Sequence, residues 1–224
     1  MTLSLMFAAI GAVVTISVAL REHAKITAAR RTLLDRCAGL FSNAMITPGG
    51  DGFPRLEAHR NGRFTRIELV PDNMTIRRLP QLWLKLTCLD PHPARPEFSV
   101  LVRPSGAEFY SLTEKHSRTL EPPPGLGPDV IARGDCTASQ AVLDAVVPQL
   151  RRLFSDPRMK EVGVTRKGLR LIWQAAEGHR GEHLIFRQCR FEDASVAPEE
   201  LAALLAKLDA LGFAIDDADE AQAA

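Results

Sequence analysis

An excess of charge of either sign is missing from this sequence. Lys plus Arg number 28 and Asp plus Glu 27 in 224 residues, a net of +1. A dedicated nucleic-acid binder carries a clear basic surplus, so that class is excluded as an expectation. Aromatic residues make up 6% and do not alternate with basic ones, which excludes a stacking platform for single strands. Cysteine is scarce: Cys37, Cys88, Cys136 and Cys189 form no CxxC pair and are too few for a disulfide-built scaffold. Scattered thiols of this kind fit buried small residues in a reducing compartment. With 46% hydrophobic residues the chain is too apolar to be mostly disordered. Its length suits one domain with something added.

The addition lies where charge is absent altogether. The first 20 residues hold no charged side chain, and residues 3–20 read LSLMFAAIGAVVTISVAL. Eighteen helical residues rise ~27 Å, close to the ~30 Å hydrocarbon thickness of a bilayer. No later run is comparably long and apolar. The reading is a single transmembrane anchor over residues 1–20 that contacts the lipid bilayer. A cleaved signal peptide is the rival: Ser17 and Ala19 make a small-x-small site. However, the run lacks a basic start and exceeds the usual 7–15 apolar residues. Orientation follows from the flank. Residues 21–46 carry Arg21, Lys25, Arg30, Arg31 and Arg36 against Glu22 and Asp35, whereas no Lys or Arg precedes the span. The positive-inside tendency places the carboxyl-terminal domain in the cytoplasm, the protein being single-pass in a cell inner membrane.

Residues 21–46 read on as a helical stalk. Ile26, Ala29, Leu33, Cys37, Leu40 and Ala44 form a stripe that needs a partner, either the domain or a second copy. Small-residue series in the span (Ser4, Ala8, Ala12; Gly11, Thr15, Ala19) would let helices approach closely. The TPGGDG cluster, residues 47–52, is a linker. The globular domain is set at 53–213 and an acidic, disordered tail at 214–224.

Asn61-Gly62 is the preferred pair for a type I′ hairpin turn. That turn sets Glu57 opposite Arg66, Arg55 opposite Glu68, and Leu56 opposite Ile67. Leu82, Leu84, Leu86 and Cys88 alternate with polar or larger residues as a third strand. Residues 98–102 form a strand, and Gly106 opens a return strand through Phe109 and Tyr110. EPPPGLGPD, residues 121–129, is a proline-stiffened connector. Its Gly125-x-Gly127 lacks the Lys-Ser/Thr and the flanking strand and helix of a phosphate loop. A short strand at residues 130–132 precedes a helix from about Ala138, which Pro148 should kink or divide. Residues 162–165 and 169–174 form a second hairpin about Lys167-Gly168, with another strand at 184–191. Pro198 starts a helix with Leu201, Leu204, Leu205, Leu208 and Leu211 on one face, ended by Gly212. Strands grouped between single helices define an α+β domain: a mostly antiparallel sheet with two main helices behind a transmembrane helix and stalk.

Chemistry-bearing motifs are few. His179-Arg-Gly-Glu182-His183 matches HxxEH, in which two histidines four apart on a helix bind zinc beside a glutamate base. Here Gly178 and Gly181 interrupt the stretch between two strands, so a hairpin loop is the preferred reading and no metal or cofactor is assigned. No GxSxG elbow occurs. Cys136, at a helix start, reads as a small junction residue rather than a nucleophile. Arginine outnumbers lysine 22 to 6. Arg55, Arg60, Arg63 and Arg66 concentrate on the first hairpin, and Arg77 and Arg78 follow. That face could meet anionic headgroups or an acidic partner; the alternative is pairing and solvation. Trp83 and Trp173 sit in strands as core residues.

At RRLPQLWLKL, VLVRPSGAEF and VTRKGLRL the chain resembles poorly characterised bacterial families with an amino-terminal membrane segment and an α+β domain. The resemblance spans most of residues 1–213 and implies an architecture but no catalytic residue. The expectation is a non-enzymatic, membrane-anchored interaction or scaffold module with a protein partner or self-association. The alternatives are a membrane-tethered metallohydrolase using His179, Glu182 and His183, and a small-molecule sensor domain.

Overall fold

The structure is a computed structural model that describes residues 2–73, 79–178, 191 and 195–223, excepting the side chains of 2–5, 8, 222 and 223. The chain begins with helix α1 (Thr2–Arg31), followed by a short 3-10 helix (Asp35–Leu40). Strands β1 (Met45–Pro48), β2 (Pro54–Arg60), β3 (Arg63–Asp72), β4 (Gln81–Leu89) and β5 (Phe98–Val102) come next. A second 3-10 helix (Thr113–Lys115) precedes β6 (Arg118–Leu120) and β7 (Val130–Gly134). Helices α2 (Ala138–Ala145) and α3 (Val147–Phe154) lead into β8 (Met159–Thr165) and β9 (Gly168–Glu177). Helix α4 (Pro198–Ala223) ends the chain. Among the described residues the nine strands form one antiparallel sheet in the order β1-β2-β3-β4-β9-β8-β5-β7-β6. The α+β expectation therefore holds.

Local chemistry dictates the hairpins. Asn61 and Gly62 both have positive φ, 52° and 76°, as a type I′ turn requires. Arg55↔Glu68, Leu56↔Ile67, Glu57↔Arg66 and Ala58↔Thr65 then pair as expected. Both cross-strand ion pairs form: Arg55 Nη2 to Glu68 Oε1 at 2.7 Å and Arg66 Nε to Glu57 Oε1 at 2.8 Å. At the β8–β9 turn Gly168 has φ +141°, and a Cβ there would overlap the Cys88 carbonyl oxygen. Only glycine lets β9 begin so close to β4. Pro148 divides α2 from α3, as the sequence suggests.

Alternation along the strands gives the sheet two different faces. The inner face (Leu56, Ile67, Leu84, Val100, Val162, Leu171) is buried beneath α2, α3 and α4. Leu201, Leu204, Leu205, Leu208 and Leu211 of α4 all lie in that core, as their spacing predicts. Trp173 is in the same core, and Trp83 is buried on the other side of the sheet with Tyr110 and Ile172.

Several expectations are corrected. The stalk is not helical to Ile46: α1 stops at Arg31, and β1 starts two residues before the predicted linker. Of its stripe, Cys37 is buried in the core with Leu33 and Ala44 packed against it, whereas Leu40 is exposed; Leu34 and Phe41, outside the stripe, turn into the core as well. Cys37 Sγ also bonds the Val196 carbonyl at 3.3 Å. No strand forms at Phe109–Tyr110, where Tyr110 packs against Trp83 at 5.2 Å between ring centroids. Gly212 does not end α4. It is a close-approach glycine, and a Cβ would lie 3.2 Å from Leu169 Cδ1. The helix runs through residues 214–223, so the acidic tail is ordered. Ile215 is fully buried, and Asp216 Oδ1 accepts from Arg95 Nη2 at 3.0 Å. The anticipated strand at 184–191 lies outside the described residues except for Phe191, whose ring meets Phe53 edge-on at 6.1 Å.

Among the described residues, no helix is long and apolar enough to cross a membrane.

Candidate functional site

The outer face of the sheet holds the unusual chemistry. At Lys160 a β-bulge shifts the β8–β9 register, with Met159 opposite Trp173 but Glu161 opposite Ile172. A bulge re-aims side chains and strengthens twist. Here it puts a cation and an anion side by side in an otherwise apolar strand. Lys160 is 6% exposed and Glu161 0%. Both are committed to the segment 103–117, which lies across the outer face as a strap.

Each end of the strap has its own fastening. Lys160 Nζ donates to the Arg103 carbonyl and lies 3.1 Å from Glu108 Oε1. Ser105 donates to that same carboxylate from N and Oγ, both at 2.7 Å. Burial works to raise the Glu108 pKa, but the Ser105 and Lys160 donors outweigh it and hold the carboxyl at about 2. Glu161 Oε1 accepts from the Leu112 amide at 2.8 Å and from Arg170 Nη2 at 3.0 Å. Arg170 also donates to the Tyr110 carbonyl at 2.8 Å. Leu112 sits over Gly163, where its Cδ1 lies 2.7 Å from the position a Cβ would take. Further along, His116 Nδ1 lies 3.1 Å from Asp135 Oδ1.

Beside the strap the face is open. Leu112 and Leu89 wall a trough whose polar lining is Arg66, Glu68, Lys85, Thr87, Thr165, Lys167 and Arg170. Register brings these together: Arg66 of β3 pairs with Thr87 of β4, and Thr87 with Arg170 of β9. Glu68 is the single carboxylate in the lining. It accepts Lys85 Nζ at 2.7 Å and Arg55 Nη2 at 2.7 Å. Burial would raise its pKa, yet Lys85, Arg55 and Arg66 lower it below the ordinary carboxylate value, so it stays ionised.

The four arginines of the first hairpin do not form one patch. Arg55 and Arg66 lie on the outer face with the ion pairs given above. Arg60 and Arg63 flank the turn: Arg60 Nη1 is 2.6 Å from Asp209 Oδ2 of α4, and Arg63 Nη2 is 3.3 Å from Asp90 Oδ2 just after β4 and 4.0 Å from Asp216 Oδ2 of α4. The other candidates, His179, Glu182 and His183, lie outside the described residues, as do Arg77, Arg78 and Cys189. Among the described residues no three His, Cys, Asp or Glu side chains gather to hold a metal. Cys136 Sγ is 3.4 Å from Ser139 Oγ at the head of α2. Burial pushes the Cys37 thiol up to about 11, with Arg36 opposing and Glu199 adding to it, and raises Cys88 as well.

Sequence reasoning missed Lys160, Glu161 and the trough. Adjacent Lys-Glu in an apolar strand breaks period-two alternation, which is the local signal of the bulge. The trough has no local signal, because its rows come from β4 pairing with β9 about eighty residues away. Comparison with protein-family models, with curated proteins and with solved structures returns no match. The class is therefore defined by the fold and site alone: an α+β domain whose described residues form one nine-stranded antiparallel sheet with a strap across part of its outer face.

Proposed function

We propose that the protein is a non-enzymatic binding module, anchored by one span at the cytoplasmic face of a bacterial inner membrane. One observation supports the reading above others. Met6, Phe7, Ile10, Val13, Val14, Ile16, Val18 and Leu20 of α1 are 52–65% exposed. At 100° per residue they sweep about 200° of the helix circumference, and Gly11, Ala12, Thr15 and Ala19 occupy the remainder. A helix with no polar face gains nothing from docking one side. A hydrocarbon medium covers all of it. Thr15 fits this medium, because its hydroxyl donates to the Gly11 carbonyl at 2.9 Å.

The other end of the helix supports a stiff connection rather than a loose tether. Leu34 and Cys37 are fully buried in the domain, and the Arg30 guanidinium lies 5.0 Å from the Phe53 ring centroid. Arg21, Lys25, Arg30 and Arg31 support the inward orientation. The buried charges Lys160 and Glu161, with half-buried Arg170, hold the strap, which favours a binding over a catalytic reading. The test is membrane fractionation. The full chain should remain with membranes after alkaline carbonate extraction, and a chain lacking residues 1–20 should be released. Release of the full chain by carbonate would refute the anchor. A sensor reading of the same domain is favoured by the trough.

A further inference from the structure

We infer that the trough on the open half of the sheet binds a phosphate-type oxyanion. The lining carries Arg66, Lys85, Lys167, Arg170 and Glu68, and Arg55, Glu57 and Glu161 adjoin it as ion-pair partners, so five cations meet three carboxylates in a chain whose charges otherwise balance. Cations present only to pair with carboxylates would leave a neutral face. A concave, partly apolar surface with a cationic surplus focuses potential on an anion instead.

Donor geometry narrows the class. Arg66, Thr87 and Arg170 occupy one row across three neighbouring strands. Strands are ~4.8 Å apart, so the two arginine backbones stand about 10 Å from each other with a hydroxyl between them. Arg66 is bound to Glu57 through Nε only, and its terminal nitrogens make no hydrogen bond among the described residues. Arg170 commits one terminal nitrogen to Glu161 and Tyr110, while its buried Nε has no partner among the described residues. Lys167 at the rim makes no ion pair among the described residues, and its backbone amide donates to Thr165 Oγ1 at 3.2 Å. Guanidinium groups, an ammonium and a hydroxyl lining one depression suit several oxygens on one centre. The depression has a volume of about 270 Å³. That admits a small phosphate compound. The site does not depend on the anchor, and failure of membrane association would leave it standing.

The same chemistry could come from a soluble phosphate compound or from a phosphomonoester lipid headgroup. The experiment uses the full chain in nonionic micelles at low salt. Inorganic pyrophosphate is titrated calorimetrically in one arm, and micelles doped with a phosphomonoester lipid are used in the other. Lys167→Glu should weaken binding about tenfold or more, and the near-isosteric Thr87→Val several-fold. Lys207→Glu on α4, across the sheet, changes net charge equally and should shift affinity by less than about twofold. Loss with the trough variants in the pyrophosphate arm supports a soluble ligand, and loss confined to the lipid arm supports a headgroup. Binding in neither arm, equal loss in Lys207→Glu, or preference for a tricarboxylate over pyrophosphate overturns the inference.

Discussion

Replacing Lys160 by Met tests whether the strap is held by buried charge. The ammonium is 6% exposed, donates to the Arg103 carbonyl and lies 3.1 Å from Glu108 Oε1. Removing one partner of a buried pair typically costs about 3–5 kcal/mol. Glu108 keeps its two Ser105 donors, so the lower end, about 3 kcal/mol, is expected. Lys160→Met with Glu108→Gln removes the stranded charge, and a double-mutant cycle should then return about 1–2 kcal/mol of coupling. The pH dependence gives an independent reading. The Glu108 carboxyl lies at about 2 in the folded protein against an ordinary 4.5. The unfolded chain therefore takes up this proton first as pH falls. The stabilisation is complete above pH 4.5 and is lost as pH drops toward 2. That shift corresponds to about 3 kcal/mol at most. In Lys160→Met the folded pKa rises and the acid loss shrinks. The assay is urea unfolding of the full chain in mild detergent between pH 3 and 7. A single-variant cost below ~1 kcal/mol with additive double-variant behaviour, and superimposable pH curves, would refute the reasoning.

Three further outcomes follow from the same geometry. Truncation after Phe213 removes fully buried Ile215 and the Asp216 partner of Arg95, itself 2% exposed, so urea unfolding should show a loss of about 3 kcal/mol or more; unchanged stability would mean that the acidic segment does not pack. Gly168→Ala should cost more than about 3 kcal/mol or prevent soluble expression, since the Cβ meets a backbone carbonyl rather than a movable side chain. Cys37, with its thiol at about 11, should resist alkylation at pH 8 until the chain is unfolded, which mass spectrometry of iodoacetamide-treated protein checks directly.

What could be read in advance was what short-range chemistry decides. Asn61-Gly62 sets a turn, the turn sets a register, and Glu57–Arg66 and Arg55–Glu68 follow from it. The leucine stripe of α4 and the break at Pro148 are equally local. Tertiary competition produced the differences. The stripe beyond Arg31 is helix-compatible, but its Cys37 and the neighbouring Leu34, which lies outside it, turn into the core. Residues 214–223 look like a soluble tail until Arg63, Arg95 and His92 are brought beside Asp216 and Asp219. Gly212 carries the same ambiguity, because a helix-ending glycine and a close-packing glycine read alike in sequence. The candidate site was the least legible part. Arg66 drew attention for its charge, whereas its grouping with Thr87 and Arg170 depends on a long-range strand pairing.

The most direct test of the central claim is a pair of carboxyl-terminal fusions to the full chain. One reporter is active only in the cytoplasm and the other only after export. The account predicts activity of the cytoplasmic reporter in the membrane fraction and silence of the exported one. Activity of the exported reporter, or cytoplasmic activity found only in the soluble fraction, would contradict it.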